Sequence, residues 1–154
     1  PTLSISGPSG PVSGAFTASF TFSEDVTGFT LGEISVGNGS ASNLQGSGSF
    51  YTATITPTAD GQVTVNVAAN VAQDAAGNSN TAATQFSVTN DGDRPTLAIT
   101  GPAGPVSGAF TATFTFSESV TGLALGEISV GNGAASNLSG SGTTYTATIT
   151  PAAD

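Results

Sequence analysis

One internal alignment limits what this chain can fold into more than any other feature. Residues 1–60 and 95–154 align without a gap and agree at 48 of 60 positions, with an offset of 94 residues. A fold must therefore be completed within one such period and then begun again. The second copy stops at "TPAAD" and has no counterpart of residues 61–94. The expected organisation is one complete repeat, 1–94, including its linker, followed by a partial second repeat, 95–154. The chain opens abruptly at Pro1 with no signal peptide, which reads as a mature or excised piece.

Within a repeat, the periodicity is that of strands, and no helical pattern stands out. "AFTASFTF" places Phe16, Ala18, Phe20 and Phe22 on one face and Thr17, Ser19 and Thr21 on the other. A period of two marks a half-buried strand. "YTATIT" turns Tyr51, Ala53 and Ile55 inward, and "QVTVNVA" does the same with Val63, Val65 and Val67. "TLSIS", "FTLGEISV" and "TQFSV" add Leu3, Ile5, Leu31, Ile34, Val36, Phe86 and Val88 to the expected core. Clusters such as "GPSGPVSG", "GNGSASN", "QGSGS" and "TPTADG" read as turns, with "GNG" a tight hairpin. About seven short strands in ~100 residues is the pattern of an immunoglobulin-like β-sandwich. The expected fold class is all-β, with tandem sandwiches of which the second is incomplete. Their small cores require no large ligand cavity.

Composition removes several functions. The formal charge is −9, with one Arg and no Lys. Nucleic acid is excluded as a partner, because phosphate contacts need clustered basic residues. Anionic membrane surfaces are disfavoured for the same reason, and no apolar stretch is long enough for membrane insertion. There is no Cys and no His, which removes disulfides, thiol nucleophiles and the usual transition-metal ligands. Absence of Lys removes Lys–Asn isopeptide staples and Schiff bases. Oxygen ligands remain, and these suit a hard cation such as calcium. Ser and Thr supply 44 residues and Gly 21, a balance that fits solvated strands and turns of an extracellular protein.

The stretches "FSE-V" (Glu24, Val26; Glu118, Val120), "YTATITP" and "DAAGN" (Asp74, Asn78) carry a resemblance along the whole chain. It resembles the bacterial Ig-like tandem repeats of very large surface adhesins and type I-secreted proteins. The resemblance implies a spacer that holds a terminal binding domain away from the bacterial cell surface, in arrays that calcium often stiffens. Where that family carries an acid pair in the "LGEI" stretch, this chain has Gly32 and Glu33, so Glu33 stays outside the expected metal set.

Strand order then assigns the acids to ends of the sandwich. With the first strand rising, the second descends to Glu24 and Asp25, and the fifth rises to Asp60. The sixth descends to Asp74, and the seventh leaves at the top through "NDGDRP". The joint between repeats would gather Asp91 and Asp93 with Glu118 of the next unit and Asp60. Glu24 and Asp74 would form a similar group at the bottom of repeat one. Clustered carboxylates repel unless a cation neutralises them, so an interdomain calcium site is one reading. The other is that Asp and Gly there are solvated turn residues and "DAAGN" an Asx-turn. Arg94 is expected in solvent or in a weak surface pair. Tyr51 and Tyr145 open an inward row and are read as core. Exposed Thr and Ser rows suit strands as well as glycans. "NGS" at Asn38 and "NLS" at Asn137 match the glycosylation pattern without weight in a bacterial protein.

Three functions are open to such a chain. A structural spacer in an adhesin or surface fibre needs length and solubility, which duplication supplies; its partners are neighbouring repeats. A glycan- or surface-binding module needs exposed aromatics, and only Phe29 and Phe50 qualify, replaced by Leu123 and Thr144 in the second copy. Catalysis is not expected: two carboxylates can hydrolyse glycosides, but no pair here is set in a cleft. A variant of the first reading is self-assembly. The second copy lacks its last two strands, leaving Phe114, Phe116 and Ile149 uncovered, and other copies of the chain could supply those strands in a filament or sheath by β-augmentation.

Overall fold

The structure, a computed structural model, describes residues 1–152. It divides into two compact units, Pro1–Asp93 and Arg94–Asp154. The first contains β1 (Leu3–Ser6), β2 (Phe16–Val26), β3 (Ile34–Gly37), β4 (Gly39–Pro57), β5 (Gly61–Val67) and β6 (Phe86–Asn90). They form two antiparallel sheets, ordered β1-β2-β4 and β3-β5-β6.

β4 doubles back on itself, with Asn43, Gly46 and Gly48 inside it at positive φ. Gly39 lies against Thr56 and Pro57, while Gly46 lies against Phe50 and Tyr51. Counting its two arms separately gives seven strands, in the four-plus-three arrangement of an immunoglobulin-like sandwich. The alternation seen in the sequence sets the register. Phe16 pairs with Ile55, Ala18 with Ala53 and Phe20 with Tyr51, so the inward rows of β2 and β4 meet. On the facing sheet Val63 pairs with Val88 and Ile34 with Val67. Phe20, Ile55, Val63 and Val65 are fully buried between the two sheets. Phe29 packs on Phe20, Phe22 and Tyr51 with ring centroids 5.2–5.6 Å apart.

Three sequence expectations are corrected. "GNG" is not a hairpin, because β3 pairs with β5 whereas β4 pairs with β2. Asn38, in the left-handed region at φ 55°, instead carries the chain from one sheet to the other. Leu31 is not core: it sits in a one-turn 3-10 helix, Leu31–Glu33, and is exposed. Phe29 is not a surface aromatic but a core residue, 7% exposed. The first strand also switches sheets. After the proline-punctuated stretch Gly7–Pro11, Val12 bridges in parallel to Asn90 of the second sheet, a bend suited to Pro8 and Pro11, which offer no ladder donor.

The second unit repeats only half of this. β7 (Leu97–Thr100), β8 (Phe110–Val120) and β9 (Gly133–Pro151) form one sheet with the register of β1-β2-β4. Phe114 and Ile149 are buried, contrary to expectation, because Leu123, Ile128, Val130 and Leu138 fold over them. Phe116 is half-buried. Leu97 and Ile99 of β7 are open, 45% and 61% exposed, where Leu3 in the first unit is 7% exposed.

Candidate functional groups at the ends of the sandwich

Antiparallel strand order brings the β4–β5 turn and the end of β6 to one end of the first unit. Asp60, in that turn, accepts hydrogen bonds through Oδ1 from the Gly92 backbone nitrogen at 2.7 Å and from Asn90 Nδ2 at 3.0 Å. Asn90 Nδ2 also donates to the Ala59 carbonyl, as does Asn38 Nδ2. Asp60 is thus held against the segment that carries Asp91 and Asp93, both exposed. Asn90 is 8% exposed, and its Oδ1 is buried with no hydrogen-bond partner. Burying an amide oxygen unpaired costs free energy. No local pattern marks this burial, because Asn90 is placed by the parallel bridge to Val12. An all-oxygen set of carboxylates and an unsatisfied amide carbonyl is chemistry that calcium accepts.

The opposite end holds Glu24 and Asp74. Glu24 closes β2, with Oε1 3.3 Å from the Pro1 nitrogen. Asp74 sits in a tight loop: its Oδ1 accepts from the Ala76 and Asn78 nitrogens at 2.8 and 2.9 Å, and its Oδ2 from Asn78 Nδ2 at 2.9 Å. These bonds, the Asn78 side chain first, hold its carboxyl below the usual carboxylate range. "DAAGN" is therefore an Asx-type turn in geometry. Glu33 and Glu127 are engaged locally: Thr30 Oγ1 donates to Glu33 at 3.4 Å, and the Ala124 nitrogen to Glu127 at 2.9 Å. Glu118 lies near the end of β8 in the second unit. Among the described residues, no three acidic side chains gather within either unit.

A residue that sequence reasoning missed organises the loop between β5 and β6. Asn80 is 2% exposed and makes four hydrogen bonds of 2.9 Å. Its Oδ1 accepts from Val71 and Ala72, and its Nδ2 donates to the Ala68 and Thr81 carbonyls. The loop is further tied to the end of β2 by a pair of backbone bonds between Thr27 and Gln73. Tyr51 and Tyr145 are core, as expected, each 8% exposed with its hydroxyl donating to the Val26 or Val120 carbonyl. Among the aromatics proposed for surface binding, only Phe50 is exposed. No helix among the described residues is long and apolar enough to cross a membrane.

Two β-sheets closed over a small core define an immunoglobulin-like module. The chain belongs to the bacterial Ig-like domain family, whose model matches residues 1–89 and again 91–154. Among solved structures it is similar to FdeC, an Escherichia coli adhesin, at 17% identity and a TM-score of 0.41. That likeness covers 98% of this chain and 55% of FdeC, so the chain spans about half the length of that neighbour. No curated protein matches it in sequence.

Proposed function

We propose that the chain is a spacer segment of an extracellular bacterial adhesin or surface fibre, whose joints are stiffened by calcium. The observation that carries this reading is the family domain begun twice at 48 identities in 60. Such repetition builds length and conserves a surface rather than shaping one recognition site. The differences between copies fit this: Phe50, the exposed aromatic, becomes Thr144. Length is useful to a stalk only if the joints resist bending, and Gly-containing polar linkers are floppy by themselves. The linker residues Asp91 and Asp93, with Asp60 tied to Gly92 between them, are the groups through which a cation would act, together with Glu118. Affinity is expected to be modest, on the order of 10⁻⁴–10⁻³ M, as in extracellular calcium modules.

The test uses a chain carrying two complete repeats, made by following residue 154 with a second copy of residues 61–94. Small-angle scattering and thermal melts are recorded in calcium and in chelator. The calcium reading expects a longer, stiffer particle and a higher Tm with calcium, both lost in an Asp91→Ala, Asp93→Ala double variant. Identical curves in the two conditions would overturn the calcium part. The spacer part fails separately, if the complete repeats bind host glycans or matrix in a solid-phase screen.

A further inference from the structure

The first unit is threaded by its chain from one end to the other. Residues 1–12 and 81–90 run side by side in the same direction: the Thr81 nitrogen donates to the Pro1 carbonyl at 3.0 Å, and Val12 bridges in parallel to Asn90. The Val12 nitrogen donates to the Thr89 carbonyl at 2.9 Å, and the Val12 carbonyl accepts from the Asp91 nitrogen at 2.8 Å. The same segment is fastened to the other sheet, since β1 pairs with β2 from Leu3↔Phe22 to Ser6↔Ser19. At its foot the Thr2 carbonyl accepts from the Ser23 nitrogen at 2.9 Å. Beyond Asp93 the sequence restarts at Pro95, the counterpart of Pro1. Tension carried along tandem units therefore enters a unit at the foot of β1 and leaves it just past the head of β6.

We propose that residues 1–12 form a shear clamp that lets the unit carry tension along its length. This deepens the spacer reading and rests on it for its purpose, because a stalk is pulled end to end when its tip is held. Pulling on the entry and the exit drags β1 one way and β6 the other. Ladder hydrogen bonds lie across the strands, so sliding two strands past each other strains all of them together. Opening the same pair from one end strains them one at a time. β1 on β2 and Val12 on β6 are both loaded in the sliding direction, and they lie in different sheets. The first segment therefore fastens both sheets, and the entry cannot be drawn out without parting both fastenings. Val12 is where load crosses between the first and last segments, since neither β1 nor β2 pairs with β6. The bend at Pro8 and Pro11 lets one short segment reach both sheets. Resistance to force is set by the barrier to unfolding, so the direction of loading matters as well as the stability of the unit.

The experiment pulls single molecules of the 154-residue chain, in chelator, through pairs of introduced cysteines, since the chain has none of its own. Thr2→Cys with Asp93→Cys pulls from entry to exit. Ser13→Cys with Asp93→Cys opens the Val12–Asp91 pair from its end. All three positions are exposed. Release of about 300 Å of chain marks rupture of the first unit in the entry-to-exit direction. That rupture should need about twofold or more the force needed from Ser13, because the barrier differs while the folded and unfolded states do not. Val12→Pro removes the nitrogen donor of the bridge, so it should lower the entry-to-exit force and bring the two directions closer together. Equal forces in the two directions would overturn the proposal, because stability and not direction would then set the force. So would an entry-to-exit force that Val12→Pro leaves unchanged in a first unit that still melts cooperatively. The comparison of directions leaves the clamp itself intact, so it decides the matter even where Val12→Pro fails to fold. Either failure leaves the spacer reading standing, since that reading falls to glycan or matrix binding instead.

Discussion

Asp60 Oδ1 accepts a hydrogen bond from the backbone nitrogen of Gly92 at 2.7 Å, which ties the β4–β5 turn to the first residues beyond β6. The same oxygen accepts from Asn90 Nδ2, so one exposed carboxylate fixes where the linker leaves the sandwich. Asp60→Ala should release that exit. A hydrogen bond to a charged acceptor at the surface is worth about 1 kcal/mol, so the Tm of the first unit should fall by only ~4–8 °C. The local effect should be larger: the Gly92 amide should lose its exchange protection while the core amides of Val63 and Val65 keep theirs. Retained protection at Gly92 would show that the linker exit is set by β6 alone.

Asn80→Ala tests the loop that closes the other end. The substitution removes four hydrogen bonds and leaves the Val71 and Ala72 amides without their acceptor. An unsatisfied buried donor costs ~1–3 kcal/mol, and the expected loss is about 3 kcal/mol, among the larger single-site effects. Chemical denaturation of the chain measures it. A loss below ~1 kcal/mol would mean that the loop finds other partners.

The Asp74 turn should respond to acid. Its carboxyl titrates below the usual range because Asn78, through its side chain and then its backbone nitrogen, favours the charged form. A folded-state pKa below the unfolded one gives a contribution that is fully present above the unfolded value of ~3.9 and is lost as pH falls through the folded value. The turn should therefore be indifferent to pH near neutrality and loosen only below about pH 4. Carbon-detected NMR titration of Asp74 would read the low pKa directly, and Asn78→Ala should move it up towards the ordinary value. An unchanged titration in that variant would remove the Asn78 side chain as the main cause.

Much of this fold can be read from spacing alone, and the misreadings have definite causes. Phe16, Ala18, Phe20 and Phe22 alternate, and all four are buried. A two-residue period commits a strand to one face wherever that face is covered. Leu31 fails the same test because apolar spacing cannot distinguish a strand entry from a single 3-10 turn, which here turns Leu31 outward. "GNG" looked like a hairpin because turn chemistry is local, while the sheet each flanking strand joins is decided by pairing with β2 or β5. At the candidate site, the meeting of Asp60 with the linker followed from strand directions. The buried Asn90 and Asn80 were not legible, since Asn in a turn-rich stretch ordinarily faces water. Only the tertiary fold gives Asn80 its four partners and leaves Asn90 Oδ1 with none.

Phe29 and Leu123 occupy equivalent positions in a closed and an open unit, which makes them a paired measurement. Phe29 is 7% exposed among three aromatic rings, and Phe29→Ala should cost about 3–5 kcal/mol. Leu123 is partly exposed and packs on the second unit's smaller cluster without the three rings that surround Phe29, so Leu123→Ala should cost less, roughly 1–2 kcal/mol. Separate unfolding transitions for the two units, followed by amide exchange, would give both numbers. Equal costs would mean that the second unit is closed in solution.

Gly46 offers the sharpest backbone test, because two separate costs meet there. Its φ is +109°, outside what L side chains comfortably adopt, and a Cβ built on it would overlap the Phe50 carbonyl oxygen and crowd Tyr51 Cα. Both obstacles are backbone, so no side chain can swing aside. The arms of β4 would have to part where Tyr51 enters the aromatic cluster. Gly61 has nearly the same φ, +113°, but nothing within 4 Å of its Cβ position. Gly61→Ala therefore isolates the conformational cost, about 1–2 kcal/mol. Gly46→Ala adds the steric cost and should reach about 3 kcal/mol or more. Thermal melts of the two variants should differ by ~4–8 °C or more in the first unit's transition, given ~4–8 °C per kcal/mol for a domain of this size. Melts that coincide would show that the β4 hairpin widens without penalty, and the close approach of its arms at Gly46 would then contribute nothing to stability.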